Sequence, residues 1–308
     1  NAMGPRGLSR VDNMLLNTPL QRLRLGNCGL SAESMALLKD VVVANDSAIA
    51  KTLKELVLDR NMMGVEGARE VGEIISHCNL KYFSYLGCRV QEGVIFLAKG
   101  LQKMVERSDR PCLSRLEIDD GTFGEEDNPA YVPLADALRG CPLMRRLVIP
   151  DAELQVEGLK LVLGALSEAG AQLTHLNLDG CGELGEDGAE ELARFLKPQA
   201  TELKYLSCSF DELGDSGLVI LMEAFMANKN ALEELNLECN ELEKESAKAL
   251  VRAQFPFMKK LNVADNMDLP KAHLKQVYGD KITFGEDDDE DEDEDMGDDM
   301  DDLAKQLA

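Results

Sequence analysis

The sequence predicts an α/β solenoid, short parallel strands alternating with helices about nine times over. Two patterns carry that expectation. A leucine-based frame, LxxLxLxx(N/C)xL, recurs from Leu20 to Asn266. Between its copies the apolar residues change from strand-like alternation to helical spacing.

The frame first reads Leu20-Leu23-Leu25-Cys28-Leu30, then Leu53-Leu56-Leu58-Asn61-Met63 and Leu80-Phe83-Tyr85-Cys88-Val90. It continues through Leu113-Leu116-Ile118-Gly121-Phe123 and a looser copy, Met144-Leu147-Ile149-Ala152-Leu154. The later copies are Leu173-Leu176-Leu178-Cys181, Leu203-Leu206-Cys208-Asp211-Leu213, Leu232-Leu235-Leu237-Asn240-Leu242 and Met258-Leu261-Val263-Asn266. Successive starts lie 33, 27, 33, 31, 29, 30, 29 and 26 residues apart, the period of leucine-rich repeats.

The connecting stretches GVEGAREVGEII, GEDGAEELARFL and GDSGLVILMEAF space apolar residues three and four apart, behind glycines and acids suited to a turn and a helix start. Each unit is therefore expected to be a strand, a turn and a helix of about three turns. Stacking such units gives a horseshoe with a concave parallel sheet and convex helices. A period near 30 with real helices points to the ribonuclease-inhibitor type of repeat, not the shorter kind.

The chain has 308 residues, 44% of them apolar, enough for a large core. It contains no apolar run of the roughly 18 to 20 residues a membrane span needs. The eight cysteines form no CxxC pair and the three histidines are scattered, so no metal quartet stands out. Cys28, Cys88 and Cys181 occupy the frame's Asn/Cys position, while Cys78, Cys112 and Cys141 fall just before a strand. They read as free thiols in a reducing compartment. Net charge is −24, and residues 286–302 alone hold 14 carboxylates and no base. Both the repeats and this segment are acidic, which disfavours nucleic acid and favours a basic partner.

Three regions follow. Residues 1–17 read as a tag remnant and flexible lead, residues 18–282 as the repeat domain, and residues 283–308 as a disordered acidic tail. LPKAHLKQVYGDK is expected to form one closing helix.

No nucleotide-binding glycine loop, GxSxG elbow or HExxH is present, so the chain is expected to be no enzyme and to need no cofactor or metal. The expected working surface is the edge just after each strand. There lie Gly26 and Asn27, Asp59 and Arg60, Asp119 and Asp120, Pro150 and Asp151, Asp179, Glu238 and Asp265, joined by Arg24 on the first strand. Repeated acids there would steer a basic partner. A solvated polar edge is the plainer alternative.

TPLQRLRLGNCGLSAES, LDRNMMGVEGA, ALEELNLECNELEKESAKAL, KKLNVADN and LKQVYGDK running into an acidic tail carry a resemblance across residues 18–302. The chain resembles the GTPase-activating proteins of the nuclear-transport GTPase Ran. The resemblance implies a rim that docks on Ran in its GTP form and supports the GTPase's own glutamine and attacking water, with no arginine finger. It implies that Asn27, in LRLGNCGL, is the in-trans accessory whose amide contacts the partner near that glutamine. Family members carry about three further repeats before this one, including an arginine important for activity that has no counterpart here. The expectation is therefore Ran recognition with impaired or absent activation, in a shortened chain or a divergent member. A cytoplasmic monomer is implied, with the nuclear envelope as a second location and a Ran-binding protein or importin-like carrier as a further partner. Rival readings are an acidic leucine-rich histone chaperone, an actin-end capping module and a general inhibitor scaffold.

Overall fold

The computed structural model describes residues 3–285, apart from 46, 125–128, 200–201, 228–229 and 267 and the side chain of Gln199. The acidic stretch from 286 onward lies outside the described residues. Contacts group the chain into two compact units, Asn1–Gln172 and Leu173–Ala308.

The first unit runs α1 (Gly4–Leu8), α2 (Asp12–Asn17), β1 (Arg22–Arg24), α3 (Ala32–Val43), α4 (Ala48–Thr52), β2 (Glu55–Val57), α5 (Gly64–Ser76), β3 (Tyr82–Tyr85), α6 (Val94–Arg107), β4 (Arg115–Ile118), α7 (Tyr131–Arg139), β5 (Arg146–Val148) and α8 (Gln155–Glu168). The second runs β6 (His175–Asn177), α9 (Gly185–Gln199), β7 (Tyr205–Ser207), α10 (Gly214–Met226), β8 (Glu234–Asn236), α11 (Lys244–Ala253), β9 (Lys260–Asn262), α12 (Lys271–Tyr278) and β10 (Ile282–Thr283). Within each unit successive strands pair in parallel and in register. The predicted helical stretches at 64, 185 and 214 begin α5, α9 and α10 at those residues.

Three-residue strands leave one side chain pointing inward and two pointing outward. The inward row is Leu23, Leu56, Phe83, Leu116 and Leu147 in the first unit, and Leu176, Leu206, Leu235 and Leu261 in the second, each at most 9% exposed. Burying a leucine of this kind contributes roughly 1.5–3 kcal/mol, so the frame's recurrence is a recurrence of core. Helices close the other side. α5 and α6 approach so tightly that a Cβ on Gly72 would lie 2.3 Å from the carbonyl oxygen of Phe96, and one on Gly100 2.3 Å from that of Gly72.

The frame's Asn/Cys position ties neighbouring repeats. The Asn61 side-chain oxygen accepts the N–H groups of Cys28 and Leu30, both at 3.0 Å, while its amide nitrogen donates to the carbonyls of Leu25 and Leu58 at 2.9 and 2.7 Å. Asn266 does the same one repeat after Asn240. A thiol can supply only the donor half, and Cys88 Sγ donates to Leu58 O at 3.3 Å. All eight cysteines are free thiols.

Gly64, Gly185 and Gly214 open their helices at φ of 58°, 53° and 59°, and each donates its N–H to the carbonyl at the Asn/Cys position of the next repeat. Gly4, at φ 52°, does the same to Cys28. Residues 4–17, set apart on sequence grounds as a lead, thus have the geometry of a repeat's helical half, with Leu8 and Leu15 buried at 2% exposure. At the other end the expected closing helix is α12, whose Tyr278 hydroxyl donates to Leu250 O at 2.7 Å. The chain then adds β10, an unexpected strand that pairs with β9 and carries Thr283 past the expected boundary at 282.

Candidate interaction site: turn edge and sheet face

Immediately after each strand the backbone makes the same move. The second residue past the frame's third apolar position adopts a left-handed conformation in every repeat. These are Asn27, Arg60, Gly87, Asp120 and Asp151 in the first unit, and Gly180, Phe210, Cys239 and Asp265 in the second, with φ between 51° and 66°. The turn is held across repeats because this residue's N–H reaches the carbonyl of the preceding position one repeat on. Asn27 donates to Asp59 O at 2.7 Å, Arg60 to Leu86 O at 2.6 Å and Phe210 to Glu238 O at 3.0 Å. Only glycine tolerates this region freely, and asparagine and aspartate tolerate it better than most others. That explains why Asn and Asp recur there.

The predicted site residues therefore divide by position. Asn27, Arg60, Asp120, Asp151 and Asp265 occupy the left-handed position, and all five are exposed. Asp59, Asp119, Asp179 and Glu238 stand one residue earlier, half-buried and engaged with a neighbouring repeat, the preceding one for Asp119 and the following one for the other three. Asp59 accepts from Ser84 Oγ at 2.7 Å and from the Leu86 N–H at 3.0 Å. Asp119 accepts the Gly87 N–H at 2.8 Å, Asp179 accepts from Ser207 Oγ and the Ser209 N–H, and Glu238 accepts from Asn262 Nδ2. These four carboxylates stitch repeats together. Burial raises the Asp119 pKa against the pull of the Gly87 N–H, and the nearby charges of Asp120 and Asp151 raise it further. The first unit's edge is thus an acidic neighbourhood centred on Asp119, Asp120 and Asp151.

Arg24 belongs to a different surface. It lies on the solvent face of the sheet, 2.9 Å from Glu55. Parallel registers place Arg22, Glu55, Tyr82, Arg115 and Arg146 in one row across β1–β5, and Arg24, Val57, Ser84, Glu117 and Val148 in a second. Arg146 Nε donates to Glu117 Oε1 at 2.6 Å and the Tyr82 hydroxyl to Glu117 Oε2 at 2.8 Å. Arg115 stacks over the Tyr82 ring at 4.2 Å and reaches Glu117 Oε1 at 3.4 Å. Burial opposes ionisation of Glu117, but the hydrogen bonds from Arg146 and Tyr82 and the charges of Arg146 and Arg115 outweigh it, and its carboxyl titrates below the usual range.

The second unit's sheet face is uncharged in its inner row. Thr283 Oγ1 donates to Asn262 Oδ1, Asn262 Nδ2 to Asn236 Oδ1, Asn236 Nδ2 to Ser207 Oγ and Ser207 Oγ to Asp179 Oδ1. Sequence reasoning singled out neither this ladder nor the arginine-bearing face. Their signal was present in the alternate strand positions, which the leucine frame leaves open. It also passed over Phe210, whose side chain stands 55% exposed at the left-handed position. Among the described residues, no group of three His, Cys, Asp or Glu side chains could hold a metal ion. No helix there is long and apolar enough to cross a membrane.

Two stretches, residues 172–193 and 229–251, match the family model described as Leucine Rich repeat. The fold is that of leucine-rich repeats. The repeats are similar to ribonuclease inhibitor of Sus scrofa, 33% identical over 297 residues that cover 78% of this chain and 63% of the relative. The Mus musculus ribonuclease inhibitor is 25% identical over 272 residues, 86% of this chain and 50% of the relative. NACHT, LRR and PYD domains-containing protein 5 of Mus musculus is 25% identical over 282 residues, 86% of this chain and 20% of the relative. The chain thus spans less than two-thirds of the length of each of these relatives. A chain of the yeast Rad7 and Elc1 complex has the same fold, with TM-score 0.54 and 18% identity over 89% of this chain and 70% of that one.

Proposed function

We propose that these repeats form a protein-binding scaffold whose turn edge docks a basic partner and that, more specifically, the chain acts in trans on Ran in its GTP form. One observation carries the reading. In each unit one position per repeat is turned outward by a left-handed backbone; in the first unit it holds Asn27, Arg60, Gly87, Asp120 and Asp151, and in the second it includes Asp265. A turn whose backbone is fixed by hydrogen bonds has little main-chain freedom to lose on binding, which is where scaffold interfaces gain affinity.

The finer reading rests on the resemblance and on Asn27. Its backbone is pinned to Asp59 O while its side chain stays exposed, so the amide sits on a rigid turn. A planar group with a donor and an acceptor and no charge can orient the partner's catalytic glutamine without disturbing the field of the phosphates. The chain contributes no reacting centre, cofactor or metal of its own in this scheme. A basic partner meets the acids, and a neutral amide sits where the chemistry is.

The test is single-turnover GTP hydrolysis by Ran with and without the protein, beside a pull-down on Ran in its GTP and GDP states. Asn27→Gly is the informative variant because it keeps the left-handed turn and removes only the amide. Retention on Ran-GTP but not Ran-GDP, with acceleration lost in Asn27→Gly, supports the reading. Equal hydrolysis with both proteins removes Asn27 from it, and no retention on Ran-GTP ends the Ran assignment. The scaffold reading then stands or falls on whether neutralising Asp120, Asp151 and Asp265 abolishes capture of a basic protein.

A further inference from the structure

We propose that the sheet face of the first unit, centred on Arg115 and Arg146, docks a short acidic segment of a separate partner protein. This surface is opposite in sign to the turn edge, and the inference stands apart from the Ran reading.

The charge balance of the face departs from that of the chain. In a protein of net charge −24, the two outward rows of β1–β5 hold Arg22, Arg24, Arg115 and Arg146 against only Glu55 and Glu117. Opposite charge steers a carboxylate-bearing segment to these rows and away from the acidic edge.

The arginines are also prepared for a ligand. Each guanidinium has five N–H donors in a rigid fork suited to bidentate carboxylate binding. Glu117, 7% exposed at its side chain, takes Nε of Arg146 and one terminal nitrogen of Arg115, and both arginines keep further donors on an accessible side. Arg115 is 47% exposed and held over the ring of Tyr82, which is itself fixed by its hydroxyl bond to Glu117. One buried carboxylate between two cations leaves the trio positive. The stack and the ion pairs have already restricted rotamers that a ligand would otherwise have to order.

Spacing defines the partner further. Strand steps of about 4.8 Å, with the two-residue offset between the rows, put Arg24 on β1 roughly 16 Å from Arg115 on β4, about four to five residues of extended chain. Half-buried Val57 lies between them in Arg24's row. The fitting segment is an extended peptide with two carboxylates four residues apart and an apolar residue midway between them, on the same face.

The experiment is fluorescence anisotropy of the full chain with a labelled Glu-Ser-Val-Ser-Glu peptide, with a Gln-Ser-Val-Ser-Gln peptide as control. Binding should be saturable, should weaken with salt, and should fall tenfold or more in Arg115→Gln and further with Arg24→Gln added. Arg115→Lys should fall less. Asp120→Asn and Asp265→Asn, on the turn edge, should leave it unchanged. Thermal unfolding of each variant shows that the fold persists. Absence of binding, equal binding of the glutamine peptide, or binding indifferent to both arginines overturns the proposal. So does a gain in affinity when the carboxylates of residues 286–302 are changed to Asn and Gln, because the face would then belong to the chain's own acidic segment.

Discussion

Asp211 accepts the N–H of Cys181 with one carboxyl oxygen at 2.9 Å, and its other oxygen is buried without a hydrogen-bond partner. It stands where Asn61, Asn240 and Asn266 stand in their repeats, and those amides donate from the equivalent atom to backbone carbonyls. Burial pushes the Asp211 pKa up to about 8. The Cys181 hydrogen bond pulls the other way, and the charge of Asp179 adds to the rise. An unfolded aspartate titrates near 3.9. Between those values the folded chain holds a proton that the unfolded chain has released, so stability falls as pH climbs from about 4 to about 8. The buried thiols of Cys181 and Cys208 face the same site, and burial raises the Cys208 pKa well above its usual value. Asp211→Asn restores the donor, and at pH 8 it should stabilise by roughly 1–3 kcal/mol. Urea unfolding at pH 4 and 8 checks this, with a gain at the higher pH and little change at the lower. An equal effect at both would show that proton binding is not the cause.

Gly72 and Gly100 set how closely α5 and α6 pack. A methyl group on Gly72 would meet the backbone carbonyl of Phe96, which cannot swing aside as a side chain would. Overpacking of this kind costs about 1–3 kcal/mol. Alanine at either position should lower the thermal midpoint even though alanine is the better helix former. Gly164 in α8 has nothing within 4 Å of its Cβ site and is the control. Gly164→Ala should stabilise by roughly 0.5–1 kcal/mol. If Gly72→Ala behaves as Gly164→Ala does, the close approach is not what selects glycine.

The acids that follow the strands should separate in the same assay. Asp179 accepts from Asn177 Nδ2, Ser207 Oγ and the Ser209 N–H, so removing it leaves several donors without a partner. Asp179→Ala should cost roughly 1–3 kcal/mol. Asp265→Gly keeps the left-handed turn, removes an exposed carboxylate and should leave stability nearly unchanged. A large loss in Asp265→Gly would place that residue with the stitching carboxylates.

That separation also marks how far the residues could be read without coordinates. The leucine frame was legible because its period is the period of the core, as Leu56, Leu116 and Leu235 show. The Asn/Cys slot was legible because it recurs at a fixed offset from the leucines, although its hydrogen bonds run to the neighbouring repeat. Asp59 and Arg60 are adjacent, polar and equally plausible as contacts, and only the backbone turn sends one into the next repeat and the other to solvent. The row Arg22, Glu55, Tyr82, Arg115 and Arg146 unites residues up to 124 positions apart, and register rather than composition brings them together. β10 has two residues and no leucine frame, so Ile282 and Thr283 are recognised as strand only by pairing with Leu261 and Asn262.

Phe210 offers the sharpest contrast between stability and recognition. Its φ is 59° and its ring is 55% exposed, so the residue sits in an unfavourable backbone region while burying little of its side chain. The left-handed conformation costs an L-residue roughly 1–2 kcal/mol. Glycine removes that cost and loses about 0.5–1 kcal/mol through greater freedom when unfolded. Phe210→Gly should therefore stabilise the second unit by about 0.5–1 kcal/mol, and Cys239→Gly, at φ 53°, should act similarly. If the turn edge is the docking surface, Phe210→Gly should also weaken partner binding, because exposed aromatic rings on rigid turns are frequent anchors of protein interfaces. Chemical unfolding and partner capture on the same variant read both quantities. Higher stability with weaker capture marks the ring as an interaction residue. Lower stability would instead show that the phenyl group packs on its neighbours strongly enough to outweigh its backbone strain.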